Sequence, residues 1–406
     1  MKPFINKKTL NLLFVSGVLL GVFACTRNKP GWGETLDRQM NQPGSILPID
    51  SVVVNFMVKY KIPGMSIAVS KDGKMIYRKG YGYANKTTAA EVTSKTLFRI
   101  GKGSELLTAI AIMKLMEDGK LSLESKVFGD SGILGNDYGH PPYGRNITAI
   151  TVNELLHHNC GGWAGGDDPT WNPKFRDLAL NPAELISLTL KDIPLRNSPG
   201  STFAFSDFGY LVLGRVIEKA SGISYSSFVK ERILHPIGIS DMQIEGSSAE
   251  DTAKNEAIYY SDAFFPILRS EEIDKETYAY TAMGDACYGW IASTEDLLRI
   301  VASLDDSIPK APVLTPKALR MLFSADKTNP HYGCGIVWNQ EFNNWYNLGD
   351  YRGSSSEYAR ASNGYSWAIL VNTYRPALND FFSDLDQIMW SAIGNPATRW
   401  PDKDLF

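Results

Sequence analysis

Apolar residues in this chain fall into a few recognisable patterns. From Leu106 to Met116 the segment is apolar nearly all round, which marks a helix buried inside a domain, and Gly119 supplies a left-handed stop. Gly64-Met65-Ser66-Ile67-Ala68-Val69-Ser70 and Met75-Ile76-Tyr77-Arg78 flank Asp72-Gly73, a pair suited to a tight primed turn, so the spacing predicts a hairpin. Residues 125–150 are rich in Gly, Pro and Asn and read as a connection. From about 151 to 284 the signals are helical. Asn181-Pro182-Ala183-Glu184 presents an N-cap, a first-position proline and an acid at the third position. Residues 207–221 form an amphipathic helix stopped by Gly222, and Ser224 opens another that ends before Pro236. Helices then begin at Thr294-Glu295-Asp296, at Thr315-Pro316 and after Asn379, with strand-like runs at 334–338 and 365–373. Strands towards both ends with helices between them imply an α+β fold. One antiparallel sheet is built from both termini, helices flank it, and the site lies in the cleft between the sheet and a central helical lobe.

The start of the buried helix is where the chain should place its chemistry. Unpaired amides and a positive partial charge gather there, so it suits a nucleophile or a bound anion. In this chain it holds Lys102 and Glu105.

Residues 97–121, from Leu97-Phe98-Arg99-Ile100 through Glu117-Asp118-Gly119-Lys120-Leu121, resemble the first motif of the serine β-lactamase and penicillin-binding-protein superfamily, in particular its class C-like branch. That motif reads Phe-Arg-Ile-(small)-Ser-x-x-Lys, and the match from Phe98 to Leu121 needs no gap. Leu155-Leu156-His157-His158-Asn159-Cys160-Gly161-Gly162-Trp163 resembles the family's Leu-Leu-x-His-Thr-(Ser/Gly)-Gly segment, and Phe205-Ser206-Asp207-Phe208-Gly209-Tyr210 resembles its second motif, Tyr-Ser-Asn-x-Gly-Tyr. Trp290-Ile291-Ala292-Ser293 with Asp296-Leu297 and Trp345-Tyr346-Asn347-Leu348-Gly349 resemble two later segments, the last being the third motif. The resemblance implies a β-lactamase/transpeptidase-like fold over residues 48–406, with a sheet lobe at about 48–135 and 285–406 and a helical lobe at about 136–284.

It also implies roles. In the family a serine attacks, and a lysine one helical turn on and a tyrosine supply or relay its base; the remaining motif residues orient the substrate. Here the serine position is Lys102, the lysine Glu105, the tyrosine Phe205, the asparagine Asp207 and the third-motif histidine Asn347, while Gly349 survives. A hydroxyl is a poor nucleophile without a neighbouring base, and none of these replacements restores such a pair. No catalytic residue is therefore expected. Lys102 has acids nearby that favour its protonated form, which does not attack. The expected arrangement is an ion cluster of Lys102, Glu105 and Asp207 that plugs the pocket and shifts its formal charge from about +1 to about −1.

Ser104 and Cys160 are the rival nucleophiles. Leu107, not lysine, lies three residues after Ser104, so Ser104 reads as a helix cap or first-turn hydroxyl. Cys160 follows His157 and His158, but a small buried cysteine is the commoner case. His331-Tyr332-Gly333-Cys334 lacks the other ligands of a zinc site, so neither metal nor cofactor is expected. Trp163, Trp171, Tyr210 and Trp345 are candidate aromatic walls for the cleft, or ordinary core.

Lys2, Lys7 and Lys8 precede an apolar run from Leu10 to Ala24, followed by Cys25. Residues 1–24 look like a bacterial lipoprotein signal with Cys25 as the lipid-attachment residue, which implies a lipid-anchored, periplasmic or cell-surface protein. Residues 25–47, rich in Gly, Pro and polar residues, read as a flexible tether reaching roughly 25 Å. The net charge is −3 and no basic run follows the signal, so nucleic acid is not expected as a partner. The partners expected are the membrane and an unidentified small molecule, peptide or envelope component. Two functions are compatible with these residues: a non-hydrolytic binding or scaffold protein of the envelope, or a working esterase, DD-peptidase or β-lactamase that uses displaced residues.

Overall fold

A computed structural model describes residues 31–176, 178, 180–245, 253–261, 284–305, 312–351, 353–375 and 380–406. The signal-like segment 1–24 and Cys25 lie outside them. Helices are α1 Trp32–Met40, α2 Leu47–Tyr60, α3 Ser104–Glu117, α4 Val152–Leu156, α5 Pro173–Arg176, α6 Pro182–Asp192, α7 Asp207–Ser221, α8 Tyr225–Val229, α9 Thr294–Ser303, α10 Pro316–Leu322 and α11 Phe381–Gly394. Strands are β1 Gly64–Lys71, β2 Lys74–Asn85, β3 Ala90–Glu91, β4 Phe98–Arg99, β5 Gln243–Ile244, β6 Tyr260–Ser261, β7 Trp290–Ala292, β8 Val337–Asn339, β9 Asn344–Tyr351, β10 Ser354–Arg360, β11 Tyr365–Val371 and β12 Thr373–Tyr374.

The main sheet has the order β3-β2-β1-β11-β10-β9-β8, antiparallel throughout, so strands from both ends of the chain meet where β1 pairs with β11. The β1–β2 hairpin turns at Asp72 and Gly73, both at positive φ as a primed turn requires. Alternation along β11 divides the molecule. Trp367, Ile369 and Val371 pack towards α2 and α11, while Ala368 and Leu370 join the larger core around α3 and α7. Helix α3 is buried from Ser104 to Met113, consistent with its all-round apolar pattern. Asn181, Ser224, Ser293 and Thr315 all cap their helices through their side chains. Helix α7 is buried from Asp207 to Ile217 and is less amphipathic than expected.

The tether needs correction. Residues 32–40 form α1, which docks on the sheet. Leu36 enters the core, Thr35 Oγ1 lies 2.6 Å from the Tyr83 hydroxyl, and Gln39 Oε1 accepts from Gly82 N at 2.7 Å. The polar face that reads as tether is instead a set of hydrogen bonds to β2. No helix among the described residues is long and apolar enough to cross a membrane.

Candidate functional site

Chain geometry first brings β9 against the turn that leads into α3. A Cβ on Gly349 would lie 1.9 Å from Ile100 O, so only glycine allows this approach, and a Cβ on Gly101 would lie 2.8 Å from the Asp350 backbone. Between Ile100 and α3 a short turn, Gly101–Gly103, presents Lys102. The ammonium lies 3.4 Å from Asp350 Oδ1 and 5.1 Å from the centre of the Phe205 ring. Burial works against its charge, but Asp207, Asp350 and Glu105 outweigh burial and hold its pKa above the usual lysine range. Lys102 is therefore a fixed cation and not an amine nucleophile.

The expected three-residue cluster is corrected. Among the described residues no ion pair joins Lys102 to Glu105 or Asp207; its partner is Asp350, the residue directly after the third motif. Glu105 points deeper. Its Oε2 accepts from the Tyr332 hydroxyl at 3.1 Å and lies 3.5 Å from His158 Nε2, while Oε1 has no donor among the described residues. Burial pushes its pKa well above the carboxylate range, which favours the neutral acid. The formal charge count made from sequence therefore changes, because Asp350 enters it.

His158 completes this inner chain. Ser206 N donates to Nδ1 at 3.1 Å, which leaves the ring proton on Nε2, 2.9 Å from the Tyr332 oxygen. The ring lies 4.1 Å from Phe205 and 5.0 Å from Tyr210, and burial lowers its pKa to about 4. A neutral imidazole thus links the Ser206 amide to Tyr332 and Glu105, and Phe205 separates this chain from Lys102.

Asp207 opens α7. Its Oδ2 accepts from the Trp171 indole, and its Oδ1 has no donor among the described residues. Asp168, which sequence reasoning missed, lies nearby and accepts from Thr170 N at 2.9 Å and Phe208 N at 3.3 Å. Burial pushes both aspartates above their ordinary range, with Asp207 raising Asp168 further and Glu105 raising Asp207 further. A raised acid pKa means that the folded state keeps protons which the unfolded chain releases above about 3.8. Stability therefore falls as pH rises from that value through neutrality. Thermal unfolding of Asp207→Asn should show a smaller loss of Tm between about pH 4.5 and 7.5 than the parent protein. His158 has the opposite sign below its unfolded value of 6.5, and because Asp207 raises the His158 pKa, its removal enlarges that opposing effect and adds to the expected difference.

The remaining candidates occupy structural places. Asn347 Nδ2 donates to Gly335 O at 2.8 Å and ties the 333–336 segment beside α3. Ser104 is fully buried, and its Oγ accepts from Trp290 N at 3.2 Å; it is a first-turn hydroxyl that fastens α3 to β7. Cys160 is buried, donates to Gly162 O at 3.4 Å, and has its thiol pKa pushed up to about 12 by burial. The cysteine beside His157 is Cys334, with Sγ 3.7 Å from Nε2. Of the four proposed aromatic walls, Trp163, Tyr210 and Trp345 are core, and only Trp171 is partly exposed. Trp171 packs against Tyr288 and Tyr351, whose rings stack at 4.6 Å. The signal for Tyr288 and Tyr351 was their place beside the fourth and third family-like segments.

The Beta-lactamase family model matches residues 49–384. Protein flp of Staphylococcus aureus (strain MW2) is 27% identical over 214 residues, 52% of this chain and 40% of its own length. Penicillin-binding protein 4* of Bacillus subtilis (strain 168) is 27% identical over 263 residues, 62% of this chain and 55% of its own. The chain thus spans about half the length of the curated relatives it matches. Among solved structures, the D-amino acid amidase from Ochrobactrum anthropi SV3 in complex with L-phenylalanine amide superposes with a TM-score of 0.67 at 19% identity, covering 85% of this chain and 97% of that one. The octameric penicillin-binding protein homologue from Pyrococcus abyssi gives 0.65 at 23% identity, covering 84% and 77%.

Proposed function

The chain belongs to the beta-lactamase family, and from that premise we propose that it is a cell-envelope binding or scaffold protein whose cleft does not carry out serine acyl transfer. One observation supports this most directly. At the position where the resemblance puts the nucleophile stands Lys102, protonated, ion-paired with Asp350 and facing the ring of Phe205. An acyl-enzyme needs an electron-rich oxygen or sulfur within reach of a base. Ser104 and Cys160 are buried and committed to backbone partners. In this reading Cys25 carries the lipid, the membrane is one partner, and the cleft rim at the exposed Trp171, backed by the buried Tyr288 and Tyr351, receives a small molecule, a peptide or an envelope component.

Incubation of the purified protein with a fluorescent penicillin, followed by denaturing electrophoresis and intact mass measurement, tests the central claim. No covalent adduct is expected, beside an active penicillin-binding protein labelled in parallel. A stoichiometric acyl adduct mapped to this chain would overturn the proposal.

A further inference from the structure

The face of the sheet turned away from Lys102 carries a second, separate feature. Tyr346 of β9 pairs with Ala359 of β10, and Ala359 pairs with Trp367 of β11, so the three stand in one row across adjacent strands. The middle position is a methyl group between two large rings. A slot follows from that size difference, because neighbouring side chains on one face of a sheet stand about 5 Å apart and a ring reaches well beyond a methyl. Helix α11 covers the slot with Trp390 and Asp386, and the Trp390 and Trp367 rings meet edge to face at 5.1 Å. The result is a cavity of about 150 Å³.

Its polar side is acidic. Trp390 Nε1 donates to Asp386 Oδ1 at 3.0 Å. Behind Asp386 stands Glu357, 1% exposed, whose Oε1 accepts from Trp367 Nε1 at 2.6 Å and whose Oε2 has no N–H or O–H donor among the described residues. Asp386 stands close enough to raise the Glu357 pKa further, and Glu357 in turn acts on Asp386. Burial pushes the Glu357 pKa up to about 8 and raises that of Asp386, and their mutual interaction favours the proton on Glu357 and the charge on Asp386. Arg360, also on the lining, does not cancel that charge, because it is paired with Asp305 at 3.0 Å.

We propose that this pocket binds a small organic cation, of the quaternary ammonium or alkylguanidinium type, with the cation against the rings of Tyr346, Trp367 and Trp390 and opposite the Asp386–Glu357 pair. Aromatic faces attract a cation through the ring quadrupole, and a partly desolvated carboxylate adds a charge that a neutral guest of equal shape cannot use. A cavity of about 150 Å³ matches a single head group of that size. The site is independent of the cleft that holds Lys102.

Choline and ethylguanidine are the probes, followed by isothermal titration and by quenching of tryptophan fluorescence at constant ionic strength. Saturable binding of at least one is expected, and the tighter of the two identifies the class of cation. The neutral isostere 3,3-dimethylbutan-1-ol should bind at least about tenfold more weakly than choline, since it lacks the charge. Asp386→Asn should weaken cation binding by a similar factor, and Ala359→Leu, which fills the slot, should abolish it. If Ala359→Leu proves unstable, Asp386→Asn at its half-buried position still decides the matter. Lys102→Ala should leave binding unchanged. No saturable binding of either cation, or equal binding of the neutral isostere, would overturn the inference and leave the reading of the Lys102 cleft untouched.

Discussion

Truncating Glu245 to alanine is expected to cost about 3–5 kcal/mol of stability, the range seen when one partner of a buried ion pair is removed. Arg99 is 1% exposed, and Glu245 is as fully enclosed; the guanidinium donates to the carboxylate and lies 4.0 Å from the centre of the Tyr259 ring. Loss of the anion leaves the buried Arg99 with Glu256 as its remaining neighbouring carboxylate, so its charge is only partly compensated in the core. The pair also holds the site in place. Arg99 ends β4, which pairs with β7, and β5, immediately before Glu245, pairs with the same strand. Release of that clamp loosens Ile100 and the Lys102 turn that follows it. Thermal and urea unfolding of Glu245→Ala against the parent measures the loss, with an expected fall in Tm of about 5 °C or more. The double change Arg99→Met with Glu245→Leu should recover much of it, because an apolar pair needs no charge compensation. A single variant as stable as the parent would show that the pair is not the anchor described here.

The elements legible in the sequence are those whose burial follows apolar period or whose ends carry caps. Helix α3, the Asp72-Gly73 hairpin and the helices opened by Asn181, Ser224 and Thr315 are of this kind. Strand β10 was not legible, because its buried residues are polar. Ser355 Oγ donates to Thr373 O at 2.9 Å, Ser356 Oγ to Ile100 O at 2.9 Å, and Glu357 pairs with Trp367 and Asp386. Helix α1 was hidden for the same reason, since Thr35 and Gln39 make its contacts through hydrogen bonds. At the site, the motif positions could be counted along the chain, but their partners could not. Asp350 pairs with Lys102 across β9, and Tyr332 reaches Glu105 from 227 residues away. No local pattern encodes contacts of that range.

The double variant Lys102→Ser with Glu105→Lys restores the two residue types that the resemblance assigns to attack, yet it is expected to hydrolyse p-nitrophenyl acetate no faster than the parent. Removal of nucleophile or base from a serine hydrolase costs on the order of a millionfold in rate, so even slight success would be visible. Three features of the structure stand against success. Phe205 occupies the relay position with a ring 4.1 Å from His158, and it has no proton to pass. The introduced amine would enter a fully enclosed place where Tyr332 and His158 now satisfy a neutral acid, and burial without a matched anion lowers both its charge and the stability of the fold. Asn347 spends its amide on Gly335 O, so it is not free to orient a substrate. Adding Phe205→Tyr isolates the first of these obstacles. If turnover appears only in that triple variant, the missing relay hydroxyl is the decisive loss; if the double variant alone gives a burst of nitrophenol, the cleft is intact and merely lacks its two reactive groups.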